Sequence, residues 1–157
     1  MTKETKRYAL GLEYIGTNLN GWQRQKKGST TVQDIVEKSL SKFLDQKIST
    51  TCSGRTDSGV HALNQTIHFE TTKSRTNDSY LKGLNSIMSP QVKAVWIKNV
   101  NKDFSARFSA IRRRYRYVID ETSTGSVFSS DYSLNVQKKI NVSKLKKASK
   151  FLIGENN

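Results

Sequence analysis

The chain has 157 residues, of which 34% are hydrophobic, with nine glycines and one proline. This length and composition are typical of a folded domain with its own core and exclude disordered, collagenous and membrane classes. Twenty-seven Lys and Arg residues against thirteen Asp and Glu residues give a formal net charge of +14, which predicts a polyanionic partner.

The sequence favours nucleic acid over a membrane as that partner. No apolar run approaches the roughly 20 residues that cross a bilayer, and no basic helix with a bulky apolar face is evident. The first ten residues lack the apolar core of a secretion signal, so we expect a cytoplasmic protein. Cys52 is the only cysteine, which excludes an internal disulfide and a paired-cysteine metal site. The alternative is a basic surface with no specific partner.

The first predicted element is a strand, because large side chains alternate from Tyr8 to Tyr14. A loop with three glycines, residues 15–30, follows it. Thr31 and Asp34 resemble a capping box, and the apolar residues after them fall on one helical face. A short strand is predicted at Lys47–Cys52.

The next elements complete one domain. A strand at Gln65–Thr71 leads to a helix with Asn77, Asp78 or Ser79 as its cap, and a strand at Val92–Val100 comes last. The order βαββαβ predicts a ferredoxin-like α+β fold, in which two helices cover one face of an antiparallel sheet. The other face is expected to stay open.

Beyond this domain, alternating residues at Arg112–Ile119 predict a fifth strand. A polar loop, residues 121–133, precedes a helix that Asn141 caps and Gly154 ends. We therefore expect the ferredoxin-like domain to be extended by a further strand and a C-terminal helix, with a possible domain boundary near residues 120–135.

The strongest functional signal is CSGRTDSGVHA, residues 52–62, where a strand leads into a loop that lies between two glycines. Arg55 and Asp57 are two residues apart, so an extended segment would project both to one side. An ionised aspartate beside a guanidinium can act as a nucleophile or base. The structural alternative is an ordinary loop ion pair, with Asp57 capping backbone amides.

Two other readings of this loop are less favoured. Cys52 with His61 as its base would be a thiol nucleophile, but no third, orienting group is evident. His61 is more often a structural hydrogen-bonding residue, and His68 is expected to belong to a strand. The loop also lacks the GK[ST] of a phosphate-binding P-loop.

Four motifs, taken together, closely resemble the tRNA pseudouridine synthase A family and cover nearly the whole chain. They are GWQRQ at 21–25, GRTDSGVHA at 54–62, HFE at 68–70 and FSARFSAIRRRYRYVI at 104–119. The resemblance implies a cofactor-free isomerase that detaches uracil from ribose and rejoins it through carbon 5. The implied substrate is the anticodon stem-loop of tRNA, at tRNA positions 38 to 40.

The resemblance also implies roles for individual residues. Asp57 matches the family's essential aspartate, and Arg55 matches an arginine that pairs with it. Tyr115 matches the active-site tyrosine, which could stack on the flipped uracil; its structural alternative is a strand aromatic in the core. The candidates for phosphate contacts are Arg24, Lys26, Lys27, Arg112, Arg113, Arg114 and Arg116.

Members of this family carry a second α/β half, and the present sequence stops about where that half begins. Because the family is homodimeric, self-association is expected if its interface survives the truncation. Two alternatives to an isomerase stay open: a non-catalytic RNA-binding domain derived from the family, and a structural partner protein with no salt-sensitive affinity for tRNA.

Overall fold

The computed structural model of the protein describes residues 4–25 and 28–155. The chain divides into two compact units, the first ending at Arg113 and the second beginning at Arg114. The elements of the first unit are β1 (Lys6–Tyr14), α1 (Val32–Leu44), β2 (Thr50–Cys52), β3 (Ala62–Thr71), α2 (Asn77–Ile87) and β4 (Val92–Val100).

The four strands form one antiparallel sheet in the order β2-β3-β1-β4. This is the predicted α+β, ferredoxin-like arrangement, so the fold class is confirmed. β2 is shorter than predicted, because before it the backbone N–H of Ile48 donates to Ser41 Oγ on α1 at 3.0 Å. β3 is longer and begins at Ala62, opposite Tyr14 of β1.

One face of the sheet carries the core. Leu10 and Leu12 of β1 are completely buried, as is Ile67 of β3. Each such side chain contributes about 1.5–3 kcal/mol relative to an exposed one. The core side chains of the two helices include Val32, Val36, Leu40, Leu44, Tyr80 and Leu84.

Hydroxyl caps start both helices. The Thr31 side chain accepts the backbone N–H of Asp34, as predicted for α1. The cap of α2 is Thr76, which accepts the N–H of Ser79 at 3.2 Å, so the prediction of Asn77, Asp78 or Ser79 was wrong. Threonine can cap as serine and asparagine do, and periodicity alone does not locate the first turn to one residue.

The other face of the sheet is partly covered, contrary to the expectation of an open face. The Trp96 indole lies over Gly11, where a side chain would overlap it, and donates from Nε1 to Asn64 at 2.9 Å. Next to it, His68 Nδ1 accepts the backbone N–H of Ala106 at 3.0 Å. The chain after β4 is therefore fastened across this face, and His68 belongs to β3 as predicted.

The second unit contains a two-stranded parallel sheet, β5 (Ile119–Asp120) with β6 (Leu134–Asn135), and a helix, α3 (Val142–Ser149). The Asn141 side chain caps α3 through the N–H of Lys144 at 2.9 Å, which confirms the predicted C-terminal helix and its cap. The helix ends at Ser149 and a short 3-10 turn, Lys150–Leu152, follows it, so the predicted end at Gly154 was wrong. None of the described residues after Arg113 is buried.

The predicted strand at Arg112–Ile119 was wrong in extent. Only Ile119 lies in a strand, and it pairs with β6 rather than with the four-stranded sheet. Alternation of arginine and tyrosine shows that a segment can form a strand, but a strand also needs a neighbour for its N–H and C=O groups. Among the described residues, 112–117 have no such neighbour in a sheet, and Val118 contributes only its C=O, which accepts the N–H of Leu134 at 2.9 Å.

Gly11→Ala is expected to destabilise the protein by about 1–3 kcal/mol, because the new methyl group overlaps the Trp96 indole. In a Trp96→Ala background the same change should cost much less, since the obstructing ring is gone. Urea unfolding of the parent, both single variants and the double variant measures this coupling. An equal cost in both backgrounds would show that Trp96 does not restrict this position.

His68 should make stability depend on pH near neutrality. Burial, and then the nearby charge of Arg7, lower the pKa of His68, so the unfolded chain binds a proton more readily than the folded one. The stability that the neutral His68 contributes is fully present above its unfolded pKa of about 6.5, and it is lost as the pH falls through the lower pKa of the folded state. We expect the free energy of unfolding to decrease between pH 7.5 and 5.5, and to decrease less in His68→Gln, measured by urea unfolding at each pH.

Candidate active site

The site is built where two loops run side by side at one end of the sheet. These are the β1–α1 loop, residues 15–31, and the β2–β3 loop, residues 53–61. Trp22 N–H donates to the Thr56 carbonyl at 2.9 Å, and Gly59 N–H donates to the Leu19 carbonyl at 3.2 Å. These backbone bonds join the two loops directly, without intervening side chains.

Glycines in the β1–α1 loop permit this close approach. Gly21 has a φ of +76°, and a Cβ there would lie 2.6 Å from the Thr56 carbonyl oxygen and 3.0 Å from the Asp57 carbonyl carbon. The next residue, Trp22, is 2% exposed and joins the core. The GWQRQ motif therefore brings the first loop against the backbone of the second.

Side chains hold the β2–β3 loop from below. Tyr14 at the end of β1 shares a hydrogen bond of 2.9 Å with Thr56 Oγ1. Burial raises the pKa of Tyr14, although hydrogen bonds to Thr56 and Gln65 oppose this, so its phenol stays neutral. Gln65 of β3 accepts from Ser53 Oγ at 2.7 Å and donates to the Gly54 carbonyl.

Arg55 and Asp57 alternate with these anchored residues and are exposed. Within the described residues, the Asp57 carboxylate makes no hydrogen bond or ion pair, and neither does the Arg55 guanidinium. The loop ion pair considered as the structural alternative is therefore not formed, and Asp57 caps no backbone amide. The pairing with Arg55 that the resemblance implies is not formed either.

Asp57 lines a surface depression of about 600 Å³. Its other lining residues are Asn20, Gln23, Arg24, Gln25, Arg55, Thr56 and Ser58. Both loops contribute to this wall, which brings Arg55, Asp57 and the predicted Arg24 together. Gln23 was not predicted; its position within GWQRQ was the available signal.

Arg24 is already paired within the protein. Its guanidinium contacts Asp34 at 2.5 Å and Glu37 at 2.7 Å, both on α1. The hydrogen bond to Asp34, followed by the charge of Glu37, raises the pKa of Arg24. Burial of Asp34 opposes its ionisation, but hydrogen bonds from Arg24 and Thr31 outweigh burial and lower the pKa of that carboxyl. The role of Arg24 in phosphate binding stays a prediction.

The basic segment is divided between the units. Arg113 donates to the Ser53 carbonyl and so belongs to the first unit. Arg112, Arg114 and Arg116 are exposed and form no hydrogen bond or ion pair in the described part of the chain. Lys26 and Lys27 lie outside the described residues. The structure thus separates one anchored arginine from three that are available to a ligand.

Tyr115 lies in the second unit with 81% of its surface exposed. The alternative of a core aromatic is therefore wrong. The proposal that this ring contacts the substrate stays a prediction, and the exposed ring is compatible with it.

A thiol nucleophile is not supported. Burial raises the pKa of Cys52, which disfavours the reactive thiolate. His61 Nδ1 accepts the backbone N–H of Gly16 at 3.2 Å, which confirms the expected structural role of this histidine. Among residues 4–25 and 28–155, no group of three or more His, Cys, Asp and Glu side chains could hold a metal ion. No described helix has the length and apolar character to cross a membrane.

Fold and site together define an α+β domain that presents an unpaired carboxylate from an anchored glycine-containing loop. A family model described as tRNA pseudouridine synthase matches residues 12–109. This match includes both loops and all of the four-stranded sheet except the first six residues of β1, Lys6–Gly11. The chain belongs to the tRNA pseudouridine synthase family.

Similar proteins carry consistent names. The chain is 42% identical over 156 residues to tRNA pseudouridine synthase A of Buchnera aphidicola, covering 99% of this chain and 58% of that protein. It is 39% identical over 150 residues to the Francisella philomiragia protein of the same name, covering 96% and 58%. With the Colwellia psychrerythraea protein, identity is 52% over 113 residues, covering 72% and 43%. The chain thus spans 58% of the length of the first two relatives.

Gly21→Ala is expected to disturb the site more than Gly28→Ala. Both glycines have a positive φ, +76° and +109°, so both substitutions carry the same kind of backbone strain. Only at Gly21 would the new methyl group press on the Thr56 carbonyl, because no described atom lies within 4 Å of a Cβ at Gly28. Urea unfolding should show a loss larger by about 1–3 kcal/mol for Gly21→Ala; equal losses would contradict the close approach of the loops.

Proposed function

We propose that this chain carries the catalytic carboxylate of a tRNA pseudouridine synthase and that Asp57 is its nucleophile. The observation that carries the proposal is the state of Asp57: exposed, unpaired with any described residue, and held on a loop whose backbone is bonded to a second loop. A carboxylate with no internal partner is available to react, and an anchored loop keeps it in place.

The reaction needs one nucleophile and no external redox partner. The Asp57 carboxylate attacks either ribose C1′ or uracil C6 of a flipped nucleotide. In the first route, the C1′–N1 bond breaks and its electron pair stays on uracil. The uracil then rotates, and its C5 bonds to C1′ as the carboxylate leaves. The C5 hydrogen departs as a proton, and N1 takes up a proton. Atoms are conserved, so the reaction is an isomerisation that requires no cofactor.

The neighbouring residues have complementary roles in this proposal. Arg55 lines the same depression as Asp57, and its permanent charge suits a phosphate or a developing uracil anion. Tyr115 supplies an aromatic ring that stacks on the uracil. Arg112, Arg114 and Arg116, together with Arg24, contact the phosphates of the RNA.

The proposed substrate is the anticodon stem-loop of tRNA. A formal charge of +14 supports a polyanionic partner, and the names of the relatives specify tRNA. A tRNA substrate implies a cytoplasmic site of action. We also propose a homodimer, on the strength of the family resemblance alone.

A second candidate is a non-catalytic RNA-binding domain. The observation that favours it is the set of exposed arginines, Arg112, Arg114 and Arg116, which form no hydrogen bond or ion pair among the described residues. In that case the basic surface would still bind stem-loops in a salt-dependent way, and Asp57 would contribute nothing measurable.

Tritium release from tRNA labelled at uracil C5 distinguishes the two candidates, because formation of the new carbon–carbon bond expels that hydrogen. We expect release by the parent chain and a loss of at least about 1,000-fold in Asp57→Asn and Asp57→Ala. Binding of tRNA should be retained, because neither change removes a basic group.

The matched control is Asp78→Asn, which neutralises an exposed carboxylate of α2 that pairs with the exposed Lys82. It should leave release unchanged. Tight, salt-dependent tRNA binding with no release from the parent would overturn the synthase proposal in favour of the RNA-binding domain. Absence of tRNA binding altogether would exclude both and leave a structural partner protein.

A further inference from the structure

Arg113 is bonded to the base of the β2–β3 loop. Its Nε and Nη2 donate to the Ser53 carbonyl at 3.0 and 2.5 Å, and Nη2 also lies 3.4 Å from the Arg107 carbonyl. One carbonyl thus receives two donors of a planar guanidinium. The arrangement engages the Nε–Nη2 edge of the guanidinium within the protein.

Ser53 is the residue at which the sheet ends and the loop begins. Its N–H donates to the Thr66 carbonyl at 2.8 Å, and its hydroxyl donates to Gln65 at 2.7 Å. Arg113 binds the remaining backbone group of Ser53, so every polar group of this residue is engaged. The path of the chain from Ser53 towards Asp57 is therefore determined at its origin.

Gly54 shows how closely Arg113 follows this path. A Cβ at Gly54 would lie 3.2 Å from Arg113 Nε and 3.5 Å from its Cδ. The guanidinium therefore covers the backbone of the residue immediately before Arg55. Thr56 is fixed separately by hydrogen bonds to Tyr14 and Trp22. Arg55 therefore lies between two fixed residues, and Asp57 directly follows one.

We propose that Arg113 is a positioning residue for the Asp57 loop and not a phosphate contact. It acts through Ser53 and Gly54, and it keeps the carboxylate in the geometry required for attack on the nucleotide. The role of the loop in catalysis rests on the function proposed above. The anchoring of the loop does not, and it can be measured separately.

The test compares Arg113→Gln and Arg113→Lys with Lys102→Gln in the same chain. Lysine keeps the charge but has a single ammonium group and cannot reproduce the two-donor fork. Lys102 is exposed, it has no hydrogen bond or ion pair among the described residues, and no role in the site is proposed for it. It is therefore the matched control for loss of one positive charge.

We expect both Arg113 variants to lower kcat for tritium release by about tenfold or more, since small displacements of a catalytic group are costly. For both variants, the Kd for tRNA and the salt dependence of that Kd should stay close to those of the parent. Lys102→Gln should leave kcat unchanged. A higher Kd with a reduced salt dependence in Arg113→Gln, an unchanged kcat, and parent-like behaviour of Arg113→Lys would assign Arg113 to phosphate binding and overturn the proposal.

Amide hydrogen exchange gives a readout that does not depend on activity. Both Arg113 variants should exchange faster over residues 53–58, while α1 and β3 stay protected and Lys102→Gln matches the parent. Unchanged exchange over residues 53–58 would overturn the positioning role. If the parent chain releases no tritium but the loop exchanges faster in the Arg113 variants, the synthase proposal fails and the anchoring by Arg113 is retained.

Discussion

The structure of the site depends on the backbone contact between the β1–α1 and β2–β3 loops. The bond from Trp22 N–H to the Thr56 carbonyl is possible only because residue 21 has no side chain and a positive φ. Trp22 then places its ring in the core, so the first loop is fixed at the residue that binds the second. A loop held by a buried indole and by backbone hydrogen bonds keeps an exposed carboxylate in place without any partner for that carboxylate.

Basic side chains contribute to holding these loops and the sheet together. The protein has an excess of basic residues, but several of them serve the fold. Arg24 joins the first loop to the carboxylates of α1, and Arg113 holds the start of the second loop. Arg7 ties the chain after β4 to the sheet, with Glu70 at 2.6 Å and the Phe104 carbonyl at 2.7 Å. Net charge therefore overstates the surface that is available to a polyanion.

The sequence predicted the elements whose signals are local. The cap at Thr31 and the strand at Val92–Val100 were correct because one turn, or one alternating run, contains the whole signal. Residues 112–118 were predicted wrongly because a strand depends on a neighbour that its own residues do not specify. The position of Asp57 in a loop could be predicted from the glycines on either side of it. The hydrogen bond from Arg113 to Ser53 could not, because it joins residues 60 positions apart and no sequence pattern indicates such a contact.

In the β2–β3 loop, the residues that hold the backbone in place alternate with the residues that are proposed to take part in the reaction. Ser53, Gly54 and Thr56 are bonded to the body of the first unit, while the side chains of Arg55 and Asp57 form no hydrogen bond or ion pair with any described residue. Substitution of these two side chains therefore breaks no such bond within the described part of the fold. Under the function proposed above, a descendant that lost the carboxylate would persist as a well-folded competitor for the same RNA, and selection on the reaction alone would have to remove it.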